Sequence, residues 1–301
     1  MNRYTKDKIV FWAFLAPALF AFSVVVIIPF IMGIYYSMTD WTAVAGLEVN
    51  WIGFENYKNM LSDKAFQYSF IRTFLFTFVS VITVNGVAMI LAILVTREVK
   101  FKSFYRAGFF VPNLIGGLVL GYIWQFIFKS VVPAIGSLVG SSALEDVLIL
   151  ADPELALMGL IMAFTWQYAG YIMMIYVAAL LNVPQELIEA SEIDGANYWH
   201  RFKSITLPMI AQAFTITSFL TLVNSFKQYD IIVALTNGGP SATFRGEIVN
   251  STELLAMHIY NVAFKFNNMA EGQARAIVFF VILSVMSMAQ VHYNKKKEVE
   301  I

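Results

Sequence analysis

Cysteine is absent from the sequence, so it can form no disulfide framework, thiolate nucleophile or Cys-ligated metal site. Histidine is nearly as scarce: His200, His258 and His292 stand far apart, form no H-E-x-x-H pattern, and give no reason to expect a metal site. Charge is sparse too, at 13% of 301 residues where a soluble domain carries ~25%. It is also balanced, with 20 Lys+Arg against 20 Asp+Glu, which gives no electrostatic case for nucleic acid as a partner. No G-x-x-x-x-G-K-[ST] loop occurs, so ATP binding of that kind by this chain is excluded. What is abundant is apolar: 59% of residues, against ~45–50% in soluble domains, with a mean hydropathy of +0.68. A soluble or disordered chain is thereby ruled out. An all-α integral membrane protein, bound to lipid, remains.

A helix crossing the hydrocarbon core needs ~20 mostly apolar residues. Six stretches qualify, at roughly Val10–Tyr36, Phe70–Thr96, Phe109–Phe128, Leu157–Leu181, Leu207–Val233 and Ala274–His292. Pro133, Gly136 and Gly140 interrupt the moderately apolar run Ser130–Leu150, which reads as re-entrant or interfacial. The first stretch exceeds the ~7–15 residues of a signal-peptide core, so an uncleaved helix is expected. With no internal repeat and no low-complexity linker, residues 1–301 read as a single transmembrane domain.

Orientation follows the Lys/Arg bias of the loops. The loops Met1–Ile9, Arg97–Gly108, Asn182–Thr206 and Tyr293–Ile301 carry twelve Lys/Arg; Ser37–Ser69, Lys129–Ala156 and Ala234–Gln273 carry five. Both termini are therefore expected in the cytoplasm. Arg97, Lys100, Lys102 and Arg106, with the tail Lys295, Lys296 and Lys297, are expected to set topology and meet lipid headgroups.

The loop 182–206 is too well built for a simple connection. Pro184 suits a first helical position, Glu186 complements the helix dipole, and Gly195 falls where a left-handed C′ residue is wanted. A short helix over Pro184–Asp194 follows, then a second from Asn197 through Ser204, with Pro208 starting the fifth span. Such a helix-turn-helix either ties two spans together or docks a cytoplasmic partner. Exposed acids at Glu189 and Glu192 disfavour an anionic lipid surface, and the small Ala190 and Ser191 favour close approach by a protein.

Glu189-Ala190-Ser191, Gly195 and Ile205-Thr206-Leu207-Pro208 resemble the EAA motif of ABC-importer permeases, E-A-A, three residues, G, nine residues, I-x-L-P. Ser191 replaces the second Ala. Asp194 and Ala196 also match the motif's surroundings. The resemblance spans nearly the whole chain: Phe14-Leu15-Ala16-Pro17 through Pro29 to Ser37, Gly53-Phe54-Glu55-Asn56-Tyr57, Arg106 with Val111-Pro112, and Asp230 with Leu235-Thr236-Asn237-Gly238-Gly239-Pro240 are similar to segments of carbohydrate-type permeases. It implies a type I importer fold with six transmembrane helices and a cytoplasmic coupling helix between the fourth and fifth. It also implies a location in the bacterial cell membrane and three kinds of partner: a second homologous permease, a cytoplasmic ATPase dimer that binds ATP and Mg, and an extracytoplasmic sugar-binding protein. Glu189, Ala190, Ser191, Asp194, Gly195, Leu207 and Pro208 would then couple to the ATPase.

Polar groups within spans are costly in lipid and face an interior. Gln167 and Tyr171 are i,i+4, as are Asn224 and Gln228, with Ser225 beside them; Phe164, Tyr168 and Tyr171 make an i,i+4,i+7 stripe. Aromatic faces with amides and hydroxyls suit a sugar. These residues, with Asn113, are the expected substrate path; helix packing and interhelical hydrogen bonding are the competing use of the same residues. Arg72 and Lys227 leave open an anionic substrate such as a phosphorylated polyol. A stand-alone secondary transporter would favour mid-membrane charges and an inverted repeat, which are lacking. No catalytic constellation is present.

Overall fold

The computed structural model describes residues 3–44, 46–97 and 100–296. They fall into two compact units, Met1–Ser62 with Ile259–Phe280, and Asp63–His258 with Val281–Ile301, each considered by itself. Of the terminal segments, residues 1, 2 and 297–301 lie outside the described residues, and Lys297 with them.

In the first unit, α1 (Arg3–Phe22) passes through a π-helical turn at Ser23–Ile27 into α2 (Ile28–Tyr36). The loop that follows is held by a buried amide. Asn56, on α3 (Glu55–Ser62), donates from Nδ2 to the carbonyls of Ser37 and Thr39, both at 2.8 Å. Ser37 Oγ meets the Tyr57 hydroxyl at 2.7 Å. The Gly53–Tyr57 segment thus closes the end of α2, with Gly53 at φ +64 making the turn. Further along, the Asn50 backbone N–H and then its side-chain amide donate to Asp40 and hold that exposed carboxyl below the usual carboxylate range. Gly33 packs where a Cβ would lie 2.9 Å from Gln273 Oε1.

In the second unit, Asp63 caps α4 (Lys64–Thr96) by accepting from Ala65 N–H at 2.9 Å. Next come α5 (Lys102–Leu114), α6 (Gly117–Phe126), a π-helical turn at Ile127–Val131, α7 (Val132–Val139), α8 (Ser142–Glu145) and α9 (Pro153–Leu181). After α10 (Gln185–Ile193) and α11 (Tyr198–Arg201), a third π-helical turn, Phe202–Thr206, leads to α12 (Leu207–Met209) and α13 (Ala211–Phe226). Then follow α14 (Asp230–Leu235) and an antiparallel hairpin, β1 (Ser241–Phe244) with β2 (Glu247–Asn250), turned at Arg245 and Gly246 with φ +49 and +83. Leu255–Tyr260 form α15 and Met269–Lys295 the long α16; of these, residues 259–280 belong to the first unit and the rest to the second.

The core of this unit is the α4–α9 pair. Phe76 and Phe164 are fully buried and meet edge-to-face at 5.3 Å. Small residues, Ala88 and Ala92 on α4 and Ala163 and Ala169 on α9, let the backbones approach, as packing in a membrane demands.

Three of the π-helical turns, ending at Ile27, Val131 and Thr206, stop two residues before a proline: Pro29, Pro133 and Pro208. A proline has no N–H for the helical ladder and crowds the carbonyl four residues back. Widening the preceding turn accommodates both, through bonds such as Val132 N–H to Ile127 O. Pro133 therefore bends no chain back into a re-entrant loop. The helix runs on over Gly117–Val139, which is long and apolar enough to cross a membrane. The helix long enough to cross here thus covers Gly117–Val139, where the expected stretch was Phe109–Phe128. The break falls instead at Ile115 and Gly116, both extended, and Phe109–Leu114 belongs to the separate α5.

Among the described residues five helices are long and apolar enough to span, and a sixth if Tyr198–Met209 and Ala211–Phe226, bent by 69°, are taken as one. The expected fifth span, Leu207–Val233, is thus broken at Ile210, and again at Lys227–Tyr229. The 16 residues of α13 reach ~24 Å at 1.5 Å per residue, short of a ~30 Å core.

Candidate functional site

The segment after α9 folds by local rules. Pro184 precedes α10, whose first residue is Gln185. At its C-terminus, Ala196 N–H reaches Ser191 O at 2.9 Å and Gly195 N–H reaches Glu192 O at 3.0 Å, with Gly195 at φ +80. This is the Schellman closure, which needs a residue free to adopt left-handed backbone. Two residues on, Asn197 Oδ1 accepts from His200 N–H at 2.8 Å and caps α11. From there the chain stays helical through Met209, so the second helix runs past Ser204.

Glu189, Ala190, Asp194 and Gly195 are all exposed, as are Glu186 and Glu192. Ser191 is half-buried and turns its hydroxyl onto Ile188 O at 2.7 Å, so it serves as a small residue and not as an outward donor. Ile193 is 88% exposed and Trp199 68%, large apolar side chains framed by acids. Leu207 is exposed and Pro208 half-buried at the bend between this segment and α13. Arg201 pairs with Glu192 and ties the two short helices together. The result is an outward face with apolar anchors and carboxylates; beyond the turn at Gly195, α11 runs on as helix to Met209, where the chain bends by 69° into α13.

The opposite end of the α4–α9 pair is held by Arg72. Its side chain is buried; Nε donates to Ser251 O at 3.1 Å, one terminal nitrogen to both Glu154 oxygens at 3.0 Å, and the other to Pro153 O at 2.9 Å. This guanidinium is structural and unavailable to an anionic substrate. The Leu235–Pro240 segment is likewise structural: Thr252 Oγ1 meets Thr236 Oγ1 and donates to Gly239 O, each at 2.7 Å. Arg106 donates to Val95 O at 3.0 Å and pins α5 to the end of α4.

The eight residues expected along a substrate path divide. Phe164 is fully buried against Phe76, and Tyr168 packs on Phe164 at 4.5 Å. Gln167 is buried and donates to Ile115 O at 3.1 Å, satisfying a carbonyl left open by the α5–α6 break. Ser225 is buried and donates to Leu222 O at 3.0 Å. Gln228 is buried as well. Asn113, Tyr171 and Asn224 are half-buried, with Tyr168 the polar groups of this set that reach the surface of the chain. A cavity of about 730 Å³ between α4, α5, α6 and α9 is lined by other residues, among them Thr83, Trp124, Thr165 and Trp166.

Sequence reasoning missed a buried hydrogen-bonded chain. The Tyr176 hydroxyl donates to Asn85 Oδ1 at 2.8 Å and accepts from Thr217 Oγ1 at 2.7 Å, linking α4, α9 and α13. Its signal was an Asn and a Tyr inside apolar spans, which pattern alone does not pair.

Residues 84–298 match the family model described as "Binding-protein-dependent transport system inner membrane component". The chain is 41% identical over 298 residues to the probable starch degradation products transport system permease protein of Thermoanaerobacterium thermosulfurigenes, covering 99% of this chain and 98% of that protein. It is 31% identical over 288 residues to the multiple sugar-binding transport system permease protein of Streptococcus mutans, covering 96% of each. In structure it resembles a chain of the bacterial ABC transporter that imports the acidic polysaccharide alginate, with a TM-score of 0.79 at 21% identity over 98% of this chain and 99% of that one.

Proposed function

This chain belongs to the family of inner membrane components of binding-protein-dependent transport systems, and from that premise we propose that it is one permease of an ATP-driven importer of a sugar or oligosaccharide. A second, homologous permease completes the path. An extracytoplasmic sugar-binding protein delivers substrate, and a cytoplasmic ATPase dimer binds ATP and Mg and performs hydrolysis. Both termini and α10 lie on the cytoplasmic side, and the whole chain works as one permease domain. The relatives named for starch products and for multiple sugars support the substrate class.

The observation that carries this reading is the exposed, doubly capped α10–α11 segment running as helix into the bend before α13. Coupling two distant sites requires an element that both bias. Here Glu189, Ala190, Ser191 and Asp194 meet the ATPase, Gly195 sets the helix angle, and Leu207 and Pro208 pass the movement to the span. Asn113, Tyr168, Tyr171 and Asn224 line the path, supported from behind by Phe164, Gln167, Ser225 and Gln228. A half-exposed Asn224 inside a span is costly against lipid, so a polar interior is its natural surrounding.

Purification of the tagged chain from its native cells in mild detergent tests the assembly. Recovery of an ATPase and a second similar permease is the expected result. A chain that emerges alone, and moves solute alone after reconstitution, overturns the reading in favour of a secondary transporter.

A further inference from the structure

Where α4 and α9 end, the chain leaves a cleft of about 400 Å³ beneath α10 and α11. Its walls are of two kinds. Ile93, Leu180, Ile188 and Phe202 make an apolar floor, while Thr96, Arg97, Gln185, Tyr198, Arg201 and Thr206 supply polar groups. Two of the lining residues, Arg97 and Arg201, carry guanidinium groups. Glu192 takes one terminal nitrogen of Arg201 and leaves the remaining donors of that five-donor group. Among the described residues no carboxylate pairs with Arg97; its guanidinium lies over the Tyr198 ring at 5.7 Å. A cation stacked on an aromatic face keeps its N–H edge free to donate. Among the described residues that line the cleft, Arg97 and Arg201 are the charged ones, and with Glu192 paired to Arg201 they leave one positive charge in excess (two minus one).

The apolar floor opens onto the outside of the helices. Ile90, Ile93 and Arg97 follow one another at i, i+3 and i+7 along one face of α4. Ile90 is 60% exposed, and Leu181, at the end of α9, 61%. A site that is basic at its rim and greasy below fits an ion with an apolar tail better than a free ion. Basic pockets between membrane helices take lipid headgroups for this reason.

We propose that this cleft binds the phosphate headgroup of an anionic phospholipid. The phosphate accepts from Arg97 and Arg201, and an acyl chain follows Ile93, Ile90 and Leu181 into the bilayer. The bound headgroup bridges the end of α4 to α11, so it braces the docking segment against a membrane span. The proposal rests on the membrane location and not on which solute is carried.

The test uses the assembled complex in mild detergent, with lipid retention read by native mass spectrometry. Phosphatidylglycerol and phosphatidylcholine are offered in turn to the unaltered protein, to Arg97→Gln, to Arg201→Gln, and to the control Lys203→Gln, which is exposed and lies outside the lining of the cleft. We expect phosphatidylglycerol to be retained over phosphatidylcholine, and each cleft variant to weaken its retention about tenfold, the worth of one charge-assisted hydrogen bond. The control should leave it unchanged. Equal retention in all variants, or an equal loss in Lys203→Gln, overturns the site in favour of diffuse surface charge. Competition by inorganic phosphate or glycerol phosphate as strong as that by the lipid overturns the lipid as the source of the anion.

Discussion

Gly170→Ala adds one methyl group and should weaken the protein more than its size suggests. A Cβ at Gly170 would lie 1.7 Å from the carbonyl oxygen of Phe109 and 2.4 Å from its carbonyl carbon. Contacts under 3.0 Å are not tolerated, so α5 must retreat from α9 by at least the difference, 3.0 − 1.7 = 1.3 Å. Backbone faces backbone here, and no flexible side chain can yield. The retreat strains the bonds that α5 and its end make with neighbours, Arg106 to Val95 O at 3.0 Å and Gln167 to Ile115 O at 3.1 Å. Overpacking costs ~1–3 kcal/mol, and two hydrogen bonds add about 1 kcal/mol each, giving a loss of roughly 3–5 kcal/mol. Gly86→Ala is the control: it lies within α4, and its Cβ meets nothing within 4 Å. There the smaller unfolded-state entropy should stabilise by ~0.4–1 kcal/mol. Thermal unfolding in detergent, followed by fluorescence-detected gel filtration, compares the two. Equal stability of Gly170→Ala and Gly86→Ala would refute the close approach of α5 and α9.

Two further changes probe the membrane interior. Tyr176→Phe removes the hydroxyl that joins Asn85 to Thr217 and should cost about 1 kcal/mol, within the range of interhelical hydrogen bonds in membranes; Thr217→Val in that background should add little, and full additivity in a double-mutant cycle would contradict the linkage. Asn224→Leu combined with Gln228→Leu should impair solute uptake in the reconstituted complex while assembly on gel filtration is kept, and unchanged uptake kinetics would move the path elsewhere.

Much of this architecture was legible because the constraints are local. The 3.6-residue pattern, the Schellman glycine at Gly195 and the Asn197 cap each follow from short-range chemistry, and the structure realises them at those residues. Prolines misled where sequence is read as punctuation. Pro133 widens a helix into a π-helical turn instead of ending it, and the true break, at Ile115 and Gly116, carries no proline. Long-range pairing was beyond reach for a different reason. Arg72 meets Glu154 and Ser251 across 82 and 179 residues of chain, and nothing in their local sequence marks them as partners. The same holds for the amide of Gln167, whose hydrogen bond to Ile115 O depends on a helix break that its own span does not encode. The candidate path was legible as residue types at helical spacing. Which of those residues turn inward was decided by packing against α4, as the full burial of Phe164 illustrates.

In the proposed importer, α10 transmits ATPase closure to the membrane helices. The most direct test is the Glu189→Lys variant, assembled with its permease, ATPase and binding-protein partners in liposomes, with sugar-stimulated ATP hydrolysis as the readout. Glu189 is exposed on α10, so the substitution leaves the fold of this chain intact. Reversing a charge that meets an opposite one across an interface costs at least ~2 kcal/mol, so stimulation should fall more than about tenfold while insertion and basal hydrolysis persist. Stimulation at the unaltered level, in a complex shown to be fully assembled, would contradict the assignment of Glu189 and with it the coupling role of the helix.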